Sequence, residues 1–170
     1  MSALPQYGKH LHSSDTMRAV VIDRYGGPEV LRVAKVPRPV PRRGQVLVRT
    51  RFIGVNPKDI IVRKGKFRIA TGKKFPLIVG HDIAGEVVEA GIGADLAEGD
   101  LVYGMINDFA GRAYSEYAAL SCQQLALAPS SIDLSAAAAV PLASQTALQA
   151  LRDDARIKPG QRVLINGASG

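Results

Sequence analysis

Gly44-Gln45-Val46-Leu47-Val48-Arg49-Thr50-Arg51-Phe52-Ile53-Gly54-Val55-Asn56-Pro57-Lys58-Asp59 changes period halfway along. Val46, Val48, Thr50 and Phe52 fall on one side of the first part and Arg49 and Arg51 on the other. That period of two predicts a strand over Gln45–Ile53, one face against a core and the other in water. Asn56 and Pro57 then predict a short helix, with Asn56 as its cap and Pro57 at its first position, running through Ile60 and Ile61 to Gly65. The chain therefore switches from β to α within a few residues.

Outward from this stretch the pattern stays β-like. Upstream, Arg18 to Asp23 and Val30 to Val36 flank Gly26-Gly27-Pro28, a hairpin signal, and Pro37, Pro39 and Pro41 then break any ladder. Downstream, Ile83 to Glu89, Leu101 to Met105, Tyr114 to Leu120 and Leu125 to Ala128 are short β-type runs punctuated by glycines. Many short strands with glycine corners argue for a small barrel or sandwich. After Pro129, the alanine-rich segments Leu134 to Val140 and Leu142 to Leu151 have helical composition. Finally Gln161-Arg162-Val163-Leu164-Ile165-Asn166 runs as an apolar strand into Gly167-Ala168-Ser169-Gly170, which reads as the opening of a βαβ unit.

Composition narrows the class. With 170 residues, 46% hydrophobic and 22% charged, the chain has an ordinary globular balance. Its net charge is +7, and the densest basic stretch is Arg63, Lys64, Lys66, Arg68, Lys73 and Lys74, with no acid between them. It reads as a solvated basic loop, the other reading being attraction for a phosphorylated cofactor or polyanion. Aromatics are 5% with no Trp, so base stacking has few candidates and a nucleic-acid partner is not expected. No apolar run reaches the roughly 18 residues of a membrane span, and no membrane partner is expected. Cys122 is the one cysteine, which excludes an internal disulfide and fits a reducing compartment, so the expected location is cytoplasmic. Residues 1–16 lack periodicity and read as a flexible leader, the folded protein starting at Met17.

The order of the motifs resembles the medium-chain dehydrogenase/reductase superfamily, in its zinc-free quinone-oxidoreductase-like branch, from Met17 to Gly170. The residues that carry the resemblance are Met17-Arg18-Ala19-Val20, Gly26 to Leu31, Gly44 to Val48, Gly54 to Asp59, Gly80 to Val88, Gly99 to Gly104 and Gly111 to Tyr117. Ala139 to Ala147 and Val163 to Gly170 complete the series. The resemblance implies a mainly β fold: a GroES-like, partly open β-barrel with short helices over residues 17–140, then the truncated start of a Rossmann α/β dinucleotide-binding domain over residues 141–170. It also implies an active site in the cleft between the two domains and hydride transfer from NADPH or NADH to a small-molecule electron acceptor.

The same resemblance implies the site. Zinc-dependent members place a cysteine where this chain has Asn56 and use the histidine matching His81, and a catalytic zinc wants three protein ligands. With asparagine in the cysteine's place no zinc is expected. The expected acceptor is then one already electrophilic, a quinone or an α,β-unsaturated carbonyl. Asn56, Asp59 and His81 are expected in the cleft. Asn56 and Thr146 are expected beside the cofactor, and Gly167, Ala168, Ser169 and Gly170 at its pyrophosphate, where glycine lets backbone N–H groups approach. The residues themselves also admit plainer roles: a helix cap for Asn56, a loop-bonding strut for His81 and an ordinary polar helix position for Thr146.

Ile61 stands where several quinone-reductase relatives carry an aromatic residue, which leaves the acceptor open. The glycine motif is expected to be incomplete, so the chain is expected to be an inactive fragment of an oxidoreductase, the alternative being a non-catalytic GroES-like binding module. A homodimer is possible on the family pattern. The segment Val163–Ile165 is expected to be disordered or to want sheet neighbours.

Overall fold

The computed structural model describes residues 15–167. Its strands are β1 (Thr16–Ile22), β2 (Leu31–Pro37), β3 (Gln45–Ile53), β4 (Leu77–Ile78), β5 (Asp82–Ala90), β6 (Leu101–Met105), β7 (Tyr117–Ser121) and β8 (Leu125–Leu127). The helices are α1 (Pro57–Arg63), α2 (Arg68–Thr71), α3 (Leu134–Ala137) and α4 (Pro141–Leu148). Among the described residues the strands form two antiparallel sheets and no closed barrel: a small one ordered β2-β1-β4 and a large one ordered β7-β3-β5-β6-β8. The mainly β, partly open architecture expected from the sequence is what forms.

The hairpin expected around Gly26-Gly27-Pro28 is present, with β1 and β2 in register from Thr16↔Pro37 to Ile22↔Leu31. Its first strand begins at Thr16, two residues before the run expected from Arg18, and takes in the last residue of the expected leader. Three residues join the sheets. The Tyr114 carbonyl accepts from Val20 N–H at 2.8 Å, Glu116 N–H donates to the Arg18 carbonyl at 3.0 Å, and the Glu116 carbonyl accepts from Thr50 N–H at 2.9 Å. Backbone from one short segment thus completes the hydrogen bonding of both β1 and β3.

β3 lies between β5 and β7, and this position overrides its alternation. Val46, Leu47 and Val48 are all fully buried, so Leu47 is covered on the face expected to meet water. At the other end Phe52 and Ile53 emerge from the sheet and are exposed, against the expectation for Phe52. The large-sheet core gathers Val48, Ile83, Val87, Val102 and Leu120, while a separate cluster of Ile22, Val30, Val62 and Val79 packs α1 onto the small sheet.

The last part departs most from expectation. α3 covers Leu134–Ala137 and α4 Pro141–Leu148, after which Gln149–Asp154 widens into a π-type winding. The strand expected at Gln161–Asn166 does not form: among the described residues the sheets contain only β1 to β8. A strand of that kind is stable when flanked and covered on both faces. Here Val163, Leu164 and Ile165 have no strand beside them and are exposed. Among the described residues no helix is long and apolar enough to cross a membrane.

Candidate active-site cluster

At the end of β3 the chain turns through Gly54, whose N–H donates to the Asp82 carbonyl at 3.2 Å, and enters α1 at Asn56. Asn56 has extended backbone (φ −121°, ψ 152°) and Pro57 follows at the first helical position, as expected for a cap. The Asn56 N–H donates to the Asp59 carboxylate at 2.9 Å, so the third helical residue reaches back over the helix start. That bond fixes the Asp59 side chain beneath the first turn, where the helix dipole favours a negative charge.

Asp59 is buried and has three partners. Its Oδ2 accepts from Asn56 N–H and from the Tyr114 hydroxyl at 2.9 Å, and its Oδ1 faces His81 Nδ1 at 2.5 Å. His81 is fully buried, and its other ring nitrogen, Nε2, faces the Asp108 carbonyl at 3.1 Å. A carbonyl only accepts, so Nε2 donates to Asp108, while Nδ1 and the Asp59 carboxyl share a hydrogen bond. The pair is isolated from water, an arrangement that ties α1 to the loop at Asp108. That loop is tight: Asp108 Oδ1 accepts from Ala110 and Gly111 N–H groups at 2.7 and 3.1 Å. Gly111 sits at φ +83° with its Cα against the Gly80 carbonyl; a Cβ there would come within 1.7 Å of that oxygen, so only glycine closes the loop over His81.

Asp82, next along β5, is also fully buried. Its carboxylate accepts from Asn56 Nδ2 at 3.0 Å and from Leu142 N–H at 3.2 Å, at the start of α4. Burial pushes the Asp82 carboxyl up from the ordinary carboxylate range, and the bonds from Asn56 and Leu142 partly offset it. Burial, reinforced by the Asp59 carboxylate, also pushes the Tyr114 phenol well up, so it stays a donor. The only amide side chain in the cluster is Asn56, 8% exposed, with one of its two amide protons spent on Asp82.

The structure brings together Asn56, Asp59 and His81, and adds Asp82 and Tyr114, which sequence reasoning missed. Asp82 stood beside His81 with no role read into it, and Tyr114 lies 55 residues from its partner, beyond any local spacing signal. Thr146 is one helical turn along α4 from Leu142, exposed, its hydroxyl donating to the Leu142 carbonyl at 2.8 Å. It therefore connects to the cluster only through Leu142. Gly167 is exposed in a turn at φ +70° and shares no hydrogen bond with the cluster among the described residues; Ala168, Ser169 and Gly170 lie outside them. Among the described residues no three His, Cys, Asp or Glu side chains group so as to hold a metal ion. Both His81 nitrogens face protein acceptors, and Cys122 sits beyond β7 against the large-sheet core, so the donor set present does not fit a zinc site.

Comparison with known proteins agrees with this architecture. The family described as the alcohol dehydrogenase GroES-like domain matches residues 42–130. The chain is 37% identical over 163 residues to an NADPH-dependent alkenal/one oxidoreductase of Arabidopsis thaliana, covering 91% of this chain and 42% of that protein. To the quinone oxidoreductase of Homo sapiens it is 34% identical over 156 residues, covering 91% of this chain and 46% of that protein. The quinone oxidoreductase of Escherichia coli, solved with NADPH, superposes with a TM-score of 0.73 at 26% identity, covering 85% of this chain and 43% of that one. The chain spans about half the length of the curated relatives it matches. On the matched domain, the chain belongs to the alcohol dehydrogenase GroES-like domain family, and the relatives it resembles carry the names of quinone and alkenal/one oxidoreductases.

Proposed function

We propose that this chain supplies the acceptor-side half of a zinc-independent oxidoreductase that reduces a quinone or an activated alkene or carbonyl with NADPH or NADH. Residues 17–140 form its substrate-side domain and residues 141–170 the opening of its dinucleotide-binding domain. The observation that carries the reading is His81 with both ring nitrogens engaged: the histidine acts as a strut and leaves a neutral amide, Asn56, as the polar group at the surface of the cluster. The names of the relatives, quinone oxidoreductases and an NADPH-dependent alkenal/one oxidoreductase, support the reaction class and favour NADPH.

The nicotinamide, when bound, supplies the hydride. This chain's residues position and shield. Asp82 and Asp59 fix the side chain and backbone of Asn56, so its second amide proton is aimed without an entropy cost at the moment of reaction, toward an acceptor oxygen or the nicotinamide carboxamide. Thr146 offers a hydroxyl on the exposed side of α4, and the sequence Gly167-Ala168-Ser169-Gly170, of which the structure describes Gly167, is assigned to the pyrophosphate. Phe52, Ile53 and Val55, exposed beside Asn56, supply apolar surface that an acceptor and the dinucleotide-binding domain cover, excluding water. The cytoplasm is the compartment we propose; some relatives carry chloroplast names.

The test is titration of NADPH and NADH against the purified chain by nucleotide fluorescence, with turnover of a simple quinone. Neither binding nor turnover is expected from this chain alone, and both are expected from a form that continues through a whole dinucleotide-binding domain. In that longer form Asn56→Ala is expected to lower kcat/KM on the order of tenfold, the loss of one hydrogen bond. Turnover by the chain alone, or full activity of the Asn56→Ala form, would sink the proposal.

A further inference from the structure

Between α1 and β4 the chain builds a lobe that the reductase reading does not use. Arg63, Lys64, Lys66, Arg68, Lys73 and Lys74 lie in it, and from Ile60 to His81 the sequence contains no Asp or Glu. None of the six is within ion-pair distance of a carboxylate among the described residues, whereas Arg18, Arg32, Arg49, Arg51, Arg112 and Arg152 all are. The positive charge in the lobe is therefore uncompensated from within.

The lobe is also held in shape. Tyr25, from the small sheet's hairpin, is its post: its hydroxyl bonds Thr71 Oγ1 at 2.6 Å and the Gly72 carbonyl, and its ring packs edge-on against Phe75 at 5.2 Å. Gly65, at φ +76°, lies so close that a Cβ would come within 2.7 Å of the Tyr25 ring. On this scaffold α2 presents Ile69 with 98% of its surface exposed; the exposed Arg68 precedes it in the chain and the exposed Lys73-Lys74 pair follows α2. Phe67 is partly exposed and contacts the ring of Phe109, also exposed, at 6.3 Å. Phe109 follows Asp108, whose carbonyl receives His81, so the lobe abuts the candidate site.

A bare branched aliphatic side chain on a lobe of exposed cations without ion-pair partners suits an interface that is anionic at its surface and apolar just below it. A folded acidic protein would match the cations and leave Ile69 without an apolar layer to enter. Nucleic acid would match the cations and leave Ile69 in water, and the lobe has no exposed aromatic beyond the Phe67–Phe109 pair for base stacking. We propose that this lobe docks the protein reversibly on an anionic phospholipid surface, the cations over the headgroups and Ile69 at the acyl boundary. The contact is peripheral, and the lack of a spanning helix does not bear on it; it does set aside the sequence-based expectation of no membrane partner. It stands independently of the reductase reading.

The experiment is co-sedimentation of the chain with phosphatidylcholine vesicles, with and without phosphatidylserine, at low and high salt. Binding is expected only with phosphatidylserine and is expected to disappear at high salt, since surface charge is screened within a Debye length. Lys66→Glu with Arg68→Glu is expected to weaken binding more than tenfold, at on the order of fivefold for each cation lost. Ile69→Ser, which leaves every charge in place, is expected to weaken it several-fold. These side chains are exposed and unpaired, so circular dichroism should show both variants folded. Equal binding to pure phosphatidylcholine, indifference to the paired substitution, or displacement from vesicles by a random DNA duplex would overturn the proposal.

Discussion

Val46-Leu47-Val48 and Val163-Leu164-Ile165 are nearly the same apolar triplet, and the molecule treats them in opposite ways. The first is 0% exposed at every position; the second is exposed at 48%, 94% and 57%. The first sits in β3 with β5 on one side and β7 on the other, so all of its backbone groups find ladder partners and both faces are covered. The second has neither. An apolar run is a capacity for burial, and whether it becomes a strand depends on neighbours that can lie far away in the chain. The same contrast runs through the charges: the carboxylate of Asp59 is enclosed by donors, while Lys64, Lys66, Arg68, Lys73 and Lys74 stand exposed without an ion-pair partner among the described residues.

The contrast predicts a graded series of effects. Leu47→Ala should cost about 2–5 kcal/mol of unfolding free energy, because it empties a fully covered position. Leu164→Ala should stay within about 0.5 kcal/mol. Urea denaturation of the two variants measures both, and a large loss at Leu164 would show that its segment packs after all. Amide exchange should divide likewise, with Val46–Val48 opening only on global unfolding and 163–165 exchanging fast. Next in size, Tyr114→Phe should cost about 1–3 kcal/mol by leaving the buried Asp59 carboxylate one donor short. Thr146→Ala, at an exposed helix position, should barely move the midpoint in the same experiment.

The smallest effect is a pH dependence. The Arg18 backbone N–H, then its guanidinium, holds the Glu116 carboxyl below the ordinary range. A carboxyl lowered in the folded state contributes stability that is present above its unfolded pKa and lost as pH falls through the folded one. Glu116→Gln should therefore lower stability slightly at neutral pH and flatten the acid-side decline by the same amount, a small one since the pair is substantially exposed. Acid titrations of melting temperature that overlay for both proteins would remove the Arg18–Glu116 contact from the account.

Much of the fold was legible because its signals are local. The alternation before Gly54, the Asn56-Pro57 start of α1 and the glycine breaks between β5, β6 and β7 all act within a few residues. What escaped was relational. The burial of Leu47 and the exposure of Phe52 follow from the position of β3 in the sheet order, which no period of two encodes. At the site, Asn56 and Asp59 could be named from the motif, and the strut role of His81 toward a neighbouring loop was among its readings. Tyr114 and Asp82 could not, since their roles exist only once β5 and the segment before β7 have converged on α1. The strand expected at 161–166 failed in the other direction, its composition right and its company missing.

The three-residue seam at Tyr114–Glu116 has a consequence for how the molecule is held together as a whole. Its backbone is shared by both sheets, and its first side chain donates to Asp59. The small sheet, whose hairpin carries Tyr25 and with it the basic lobe, is thus joined to the polar cluster through this backbone as well as to the large sheet. The seam therefore serves three parts of the molecule at once: the backbone that pairs with β1 and with β3 also carries the hydroxyl that holds the carboxylate under the first turn of α1.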